Sequence, residues 1–166
     1  MARVVVVGVG NPLMGDDGVG QAVLQRLKGR LPEWVELVDA GCDSLDALLD
    51  AKDADLVVLV DAIDAQKPAG TLYRFSAETI RNSAIPSNRI SLHQLSLKEC
   101  LALAELSGFD PEKLVVVGVQ PAVVEPRMRL SDTVAEKLPD LIDLVEQEIR
   151  RICDDKNREK AERGGA

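Results

Sequence analysis

Aromatic side chains are nearly missing from this 166-residue chain, which has one tryptophan, one tyrosine and two phenylalanines. Hydrophobic residues nevertheless make up 46% of it. The core is therefore aliphatic, the composition of a parallel sheet buried on both faces between helices. Cysteine is scarce too: Cys42, Cys100 and Cys153 are widely spaced and form no C-x-x-C. That excludes a zinc knuckle and a disulfide framework, and suits a reducing cytoplasm. Positive charge is in deficit, with 20 Lys and Arg against 28 Asp and Glu and a net charge of −8. Nucleic acid and anionic membranes are thus poor partners, because phosphate binding needs clustered cations. No apolar run approaches the roughly 20 residues of a membrane span. The first residues enter a strand almost at once, which leaves no room for a secretion signal. The expectation is a cytoplasmic protein. Histidine is just as scarce as tryptophan and tyrosine, with His93 alone.

The length fits one domain with a sizeable core. Residues 3–7, 56–60 and 114–119 are largely apolar runs that read as strands, 34–39 reads as another, and 71–75 alternates weakly, as a strand at or near a sheet edge does. Between them, Val19, Val23 and Leu27 predict a helix over about 18–30. Ser44 is positioned to cap a short helix carrying Leu45, Leu48 and Leu49. Ser96 and Glu99 have capping-box spacing ahead of a helix that Gly108 can stop. Ser131 is placed to cap a long helix with Val134, Leu138, Leu141, Val145, Ile149 and Ile152 along one side. Residues 76–92 read mostly as loop, with room for one helical turn. Strands interleaved with helices predict an α/β fold, a three-layer α/β/α sandwich around a mostly parallel, twisted, five-stranded sheet with helices on both faces. One domain spans 1–153. The tail at 154–166, with balanced charge and no apolar stripe, is either an exposed helical extension or disordered.

The chemistry-bearing residues gather at the predicted strand ends. After the first strand comes Gly8-Val9-Gly10-Asn11-Pro12-Leu13-Met14-Gly15-Asp16-Asp17-Gly18-Val19-Gly20. Its opening G-x-G invites a dinucleotide reading, but the third glycine of that fingerprint is replaced by Leu13. Asp16 and Asp17 would also repel a pyrophosphate at the helix N-terminus, so no nucleotide is expected. One of the pair can cap the helix or complement its dipole, and Asp16 is assigned that role. Asp17 is either a second such residue or a ligand. Asp61 ends the apolar run 56–60, and Asp39 closes the second strand. In an open α/β sheet, ligands bind beyond the carboxyl ends of the strands. An ionisable group there is costly to bury unless paired, metal-bound or functionally needed. Several carboxylates at one edge repel each other, a strain that a divalent cation relieves. His93 is either a hydrogen-bonded structural residue or the nitrogen ligand that completes a set with Asp17 and Asp61. Asp64 reads as a solvated loop charge. Cys42 has no base nearby in sequence to make it a nucleophile, and neither a G-x-S-x-G nor an H-E-x-x-H occurs.

Taken together, Gly8-x-Gly10-Asn11-x-Leu13-x-x-Asp16-Asp17-Gly18-x-Gly20, Val60-Asp61-Ala62, Ser91-Leu92-His93-Gln94-Leu95 and Gly118-Val119-Gln120-Pro121 with Glu125-Pro126 resemble the [NiFe]-hydrogenase maturation endopeptidases. The likeness runs in order over roughly residues 3 to 150. It implies an enzyme that removes the C-terminal extension of the nickel-loaded hydrogenase large-subunit precursor. It further implies that Asp17, Asp61 and His93 are at once the catalytic residues and the ligands of nickel, with nickel carried by the substrate and other divalent cations able to occupy the site. The family's Asp-x-Gly-Thr segment for substrate recognition corresponds here to Asp39, Gly41 and Cys42, with cysteine in place of threonine. Two other functions fit the same residues: a nickel-sensing chaperone that does not cut, and a metal-dependent hydrolase of a small substrate.

Overall fold

The structure, a computed structural model, describes residues 2–82 and 96–164. Five strands, β1 (Val4–Val9), β2 (Val35–Gly41), β3 (Leu56–Ala62), β4 (Leu72–Ser76) and β5 (Leu114–Val119), form one sheet in the order β2-β1-β3-β5-β4. The first three and β5 are parallel, while β4 runs antiparallel to β5 at an edge. Around them lie α1 (Val19–Leu27), α2 (Ser44–Asp50), α3 (Ala77–Asn82), α4 (Leu97–Leu106) and α5 (Asp132–Gly164). This is the mostly parallel, two-sided sandwich expected from the sequence.

The valine runs explain the layers. Successive side chains of a strand point to opposite faces, so Val4 and Val6 join one buried cluster and Val5, Val7 and Val9 another. The first cluster meets Val19, Val23 and Leu27 of α1 and Val134, Leu138, Leu141, Val145 and Ile149 of α5. The second meets Ala47 and Leu48 of α2, Ile80 of α3, and Leu101 and Ala104 of α4. Each buried valine contributes about 1.5–3 kcal/mol by leaving water. An ion cluster on the buried carboxylate of Glu148 clips α5 to the edge strand: the exposed Arg74 donates to both of its oxygens at 2.5 and 3.0 Å, and the exposed Arg151 adds a third bond at 3.0 Å.

Several local expectations change. Helix α1 is shorter than its apolar repeat predicts, because a 3-10 turn occupies Gly15–Gly18 and Lys28 is already extended. The cap of α2 is Asp43, whose carboxylate accepts the Asp46 amide at 3.2 Å. Ser44, the expected cap, is buried as the first helical residue. Two adjacent cap-competent residues are not separable by type alone. Within the stretch read as loop, Ser76 caps the six-residue α3 by accepting the Thr79 amide at 3.2 Å. Residues 83–92 of that stretch lie outside the described residues. The capping box of Ser96 and Glu99 forms as expected, with the Ser96 amide donating to Glu99 at 2.7 Å. Ser131 accepts the Val134 amide at 3.3 Å at the start of α5. That helix runs on through Cys153 to Gly164, so the described part of the charged tail is helical. Lys156 on this extension meets Asp55, just before β3, at 2.6 Å.

Candidate active site

The sheet order places a switch point between β1 and β3, where the chain leaves β1 for the β2 side and returns to β3 on the other. Beyond the carboxyl ends of two such strands a crevice opens, because their connections diverge. Gly8 of β1 is in register with Asp39 of β2 and with Val60 of β3, so Asp39 and Asp61 emerge level with the end of β1.

Asp17 is delivered to this edge by a tightly curled turn. Gly10 has φ +133, a conformation that only glycine adopts readily. A β-carbon there would stand 1.8 Å from the Asp17 carbonyl oxygen. The Asn11 side chain accepts the Leu13 amide at 3.0 Å, and the Asn11 backbone amide donates to Asp17 Oδ2 at 2.9 Å. Gly20 seats the start of α1 on the seam between the strands: a β-carbon there would lie 2.7 Å from Val60 O and Val9 N. Asp17 is half-buried at this seam, and Asp61, within β3 rather than after it, is 8% exposed.

Asp16 does something other than cap a helix. It is fully buried, and its carboxylate accepts from the Ala122, Val123 and Ser131 amides and from the Ser131 hydroxyl, at 2.7–2.8 Å. The backbone of residues 13–16 is also zipped to 123–127: Arg127 N donates to Leu13 O, Gly15 N to Arg127 O and Asp16 N to Val123 O. The carboxylate next to Asp17 is thus the clamp that fixes the 121–131 loop beside the site. Its expected capping role is corrected on that ground: all four donors lie more than a hundred residues away.

Gln120, immediately after β5, is a second organiser. Its Oε1 accepts from Tyr73 Oη at 2.7 Å, Ala65 N at 2.9 Å and Lys67 N at 3.3 Å. Its Nε2 donates to Asp64 Oδ1 at 2.9 Å. Burial, helped by the Asp64 charge, pushes the Tyr73 hydroxyl up, so it stays a donor at neutral pH. Asp64 is exposed but is not merely solvated, because it also accepts the Gln66 amide at 3.1 Å. The signal for Gln120 in the sequence was a polar side chain directly after a wholly apolar strand.

The segment ending β2 shares the edge. Asp39 Oδ1 accepts the Gly41 amide at 2.9 Å, Gly41 has φ +54, and its carbonyl accepts the Gly10 amide at 2.6 Å. Cys42 is exposed. Gln21 of α1 spans the gap, donating from Nε2 to Gly10 O at 2.8 Å and to Asp39 Oδ1 at 3.0 Å. The topology therefore brings Asp17, Asp39, Gly41 and Asp61 to one edge, while His93 lies outside the described residues. Among the described residues, no group of three or more His, Cys, Asp or Glu side chains is placed to hold a metal ion. Asp17 and Asp61 supply oxygen donors, which suit a divalent cation that has further ligands of its own. No helix among the described residues is long and apolar enough to cross a membrane.

Known proteins resemble this chain in sequence and in fold. The sequence profile of the hydrogenase maturation protease family matches residues 22–148. The hydrogenase 2 maturation protease of Escherichia coli is 34% identical over 151 residues, covering 89% of this chain and 91% of that protein. The hydrogenase expression/formation protein HupM of Azotobacter chroococcum is 34% identical over 129 residues, 74% of this chain but 59% of its own length. Among solved structures, the hydrogenase maturating endopeptidase HybD from Escherichia coli superposes with a TM-score of 0.78 at 32% identity, over 90% of this chain and 93% of that one.

Proposed function

The chain belongs to the hydrogenase maturation protease family, and on that footing we propose that it is the endopeptidase that trims the C-terminal extension of a nickel-loaded [NiFe]-hydrogenase large-subunit precursor. The observation that carries this reading is the convergence of Asp17 and Asp61 on the carboxyl edge of β1 and β3, at the switch point of the sheet. Together with His93 they offer two carboxylates and one imidazole, an incomplete coordination set. Such a set binds a free cation weakly but adds well to nickel already held by thiolates of the substrate. Nickel is therefore read as cargo of the precursor rather than as a resident cofactor. Its docking on these side chains holds the scissile peptide in register, and proximity contributes to the rate.

Cleavage itself needs a base for the attacking water and an acid for the leaving amine. A carboxylate at this edge, Asp17 or Asp61, takes the water proton and returns it to the amine nitrogen as the peptide bond breaks. The Asn11 backbone amide on Asp17 Oδ2 fixes the orientation of that carboxylate. Asp39, Gly41 and Cys42 line the neighbouring strand end and contact the extension. The reaction is hydrolytic, of aspartic or metal-assisted type, and its setting is the cytoplasm.

The test is incubation of the purified protein with precursor prepared with and without nickel. Nickel-loaded precursor is cut once near its C-terminus, and nickel-free precursor stays intact even with enzyme in excess. Efficient cutting of the nickel-free form would refute nickel sensing. Failure to cut either form would leave a chaperone that senses loading without catalysis.

A further inference from the structure

We propose that Gln21 is a positioning residue that locks the substrate-contacting end of β2 to the turn carrying Asp17; the inference rests on the protease reading above. An unbroken hydrogen-bond chain carries it. Asp17 Oδ2 accepts the Asn11 amide at 2.9 Å. The preceding carbonyl, Gly10 O, accepts Gln21 Nε2 at 2.8 Å, and the same nitrogen donates to Asp39 Oδ1 at 3.0 Å. Asp39 Oδ1 accepts the Gly41 amide at 2.9 Å, and Gly41 O accepts the Gly10 amide at 2.6 Å, which closes the ring. Gln21 is the only side chain in this ring that α1 supplies, and its Nε2 faces one acceptor in the turn after β1 and one in β2.

The other end of the amide shows that stability alone does not explain the residue. Oε1 is buried and has no hydrogen-bond partner among the described residues. Flipping the amide would set Oε1 against a carbonyl and a carboxylate, so the orientation is dictated by the two acceptors. A buried acceptor left without a partner is destabilising. Local costs of this kind collect at functional sites, where a fixed geometry is worth more than the last increment of stability. Here the fixed quantity is the spacing between Asp39, which meets the extension, and Asp17, which meets the scissile end.

Two variants test the assignment. Gln21→Met keeps the length of the side chain and removes both the donor and the orphan acceptor. Gln21→Glu keeps the shape but turns the donor into an oxygen facing Gly10 O and Asp39. Both should raise KM for nickel-loaded precursor by about tenfold, with kcat changed less than about twofold, the signature of lost substrate positioning. Amide hydrogen exchange at Gly10 and Gly41 should speed up by at least about tenfold as the ring opens locally. Gln21→Met should keep or raise the thermal midpoint. Unchanged KM and unchanged exchange at both glycines would overturn the assignment. So would a lowered midpoint with exchange accelerated evenly across the sheet, which marks a packing residue. If the wild-type protein cuts no precursor, the protease reading falls, and the exchange at Gly10 and Gly41 decides the positioning role by itself.

Discussion

The two ends of the central sheet treat their carboxylates in opposite ways. At the amino end, just before β1 and β3, Asp55 is held by Lys156 at 2.6 Å and by the Arg3 amide at 2.7 Å, while Arg3 also reaches Glu36 at 3.1 Å. Cations cancel the charge there. At the carboxyl end, Asp16 is satisfied by three backbone amides and a hydroxyl, Asp39 by the Gly41 amide and the Gln21 carboxamide, and Asp17 takes the Asn11 amide. Backbone amides, a hydroxyl and a carboxamide orient these carboxylates through hydrogen bonds. An end built in this way holds its carboxylates in fixed orientations, as the proposed chemistry requires. An end built from ion pairs only holds the fold together.

The contrast is sharpest, and easiest to break, at the predicted reacting groups. Replacing Asp17 or Asp61 by Asn, or His93 by Ala, should cut processing of nickel-loaded precursor by about 10³-fold or more, in the range that general acid–base groups supply. The fold should survive, and circular dichroism with a processing gel checks both halves. Next comes Asp16→Ala, which leaves four buried or partly buried donors without their acceptor and should cost about 3–5 kcal/mol of stability by urea unfolding. A loss below about 1 kcal/mol would return Asp16 to the status of a simple cap. Smaller again is Gln120→Ala. It unties residues 64–67 from β5 and should cost about 2 kcal/mol, with proteolytic nicking concentrated in that loop.

The amino end should yield the smallest effect and a distinctive pH dependence. The Lys156 hydrogen bond, aided by the Arg3 amide, holds the Asp55 carboxyl below its usual range against the opposing pull of burial. A folded-state value below the unfolded one means stability that is present above the unfolded value, about 3.9, and lost as pH falls through the folded value. Deleting 154–166 or making Asp55→Asn should therefore lower stability by less than about 1 kcal/mol at pH 7, because the pair is partly exposed. The gap to wild type should close in acid. A gap that widens below pH 4 would reverse the sign of this contribution.

How much of this could be read in the sequence depends on how local the cause is. Strands β1, β3 and β5 and their two-sided burial follow from apolar runs such as Val4 to Val7, because a strand buried on both faces has no reason to alternate, whereas β4 follows from its weak alternation. The capping box at Ser96 is equally local, since its partner is three residues on. The clamp role of Asp16 was hidden because its donors lie 106 to 115 positions away, brought close only by folding. The same holds for Gln120, whose partners are 47 to 56 positions distant. The tail gave no apolar stripe, yet it continues α5 as a helix, anchored at Lys156. Asp17, Asp39 and Asp61 were legible because strand ends announce themselves. Gln21 was not, because an ordinary polar residue in the first turn of a helix carries no pattern.

The most direct measurement compares Asp16→Asn with Asp17→Asn in one experiment. Urea unfolding and processing of nickel-loaded precursor are recorded on the same samples, with activity expressed per folded molecule. Asp17→Asn should unfold within about 1 kcal/mol of wild type and produce no mature large subunit. Asp16→Asn should be clearly destabilised yet process at close to the wild-type rate per folded molecule. Processing by Asp17→Asn at the wild-type rate would contradict the division of labour between these two neighbours, and with it the placing of the chemistry at this edge of the sheet.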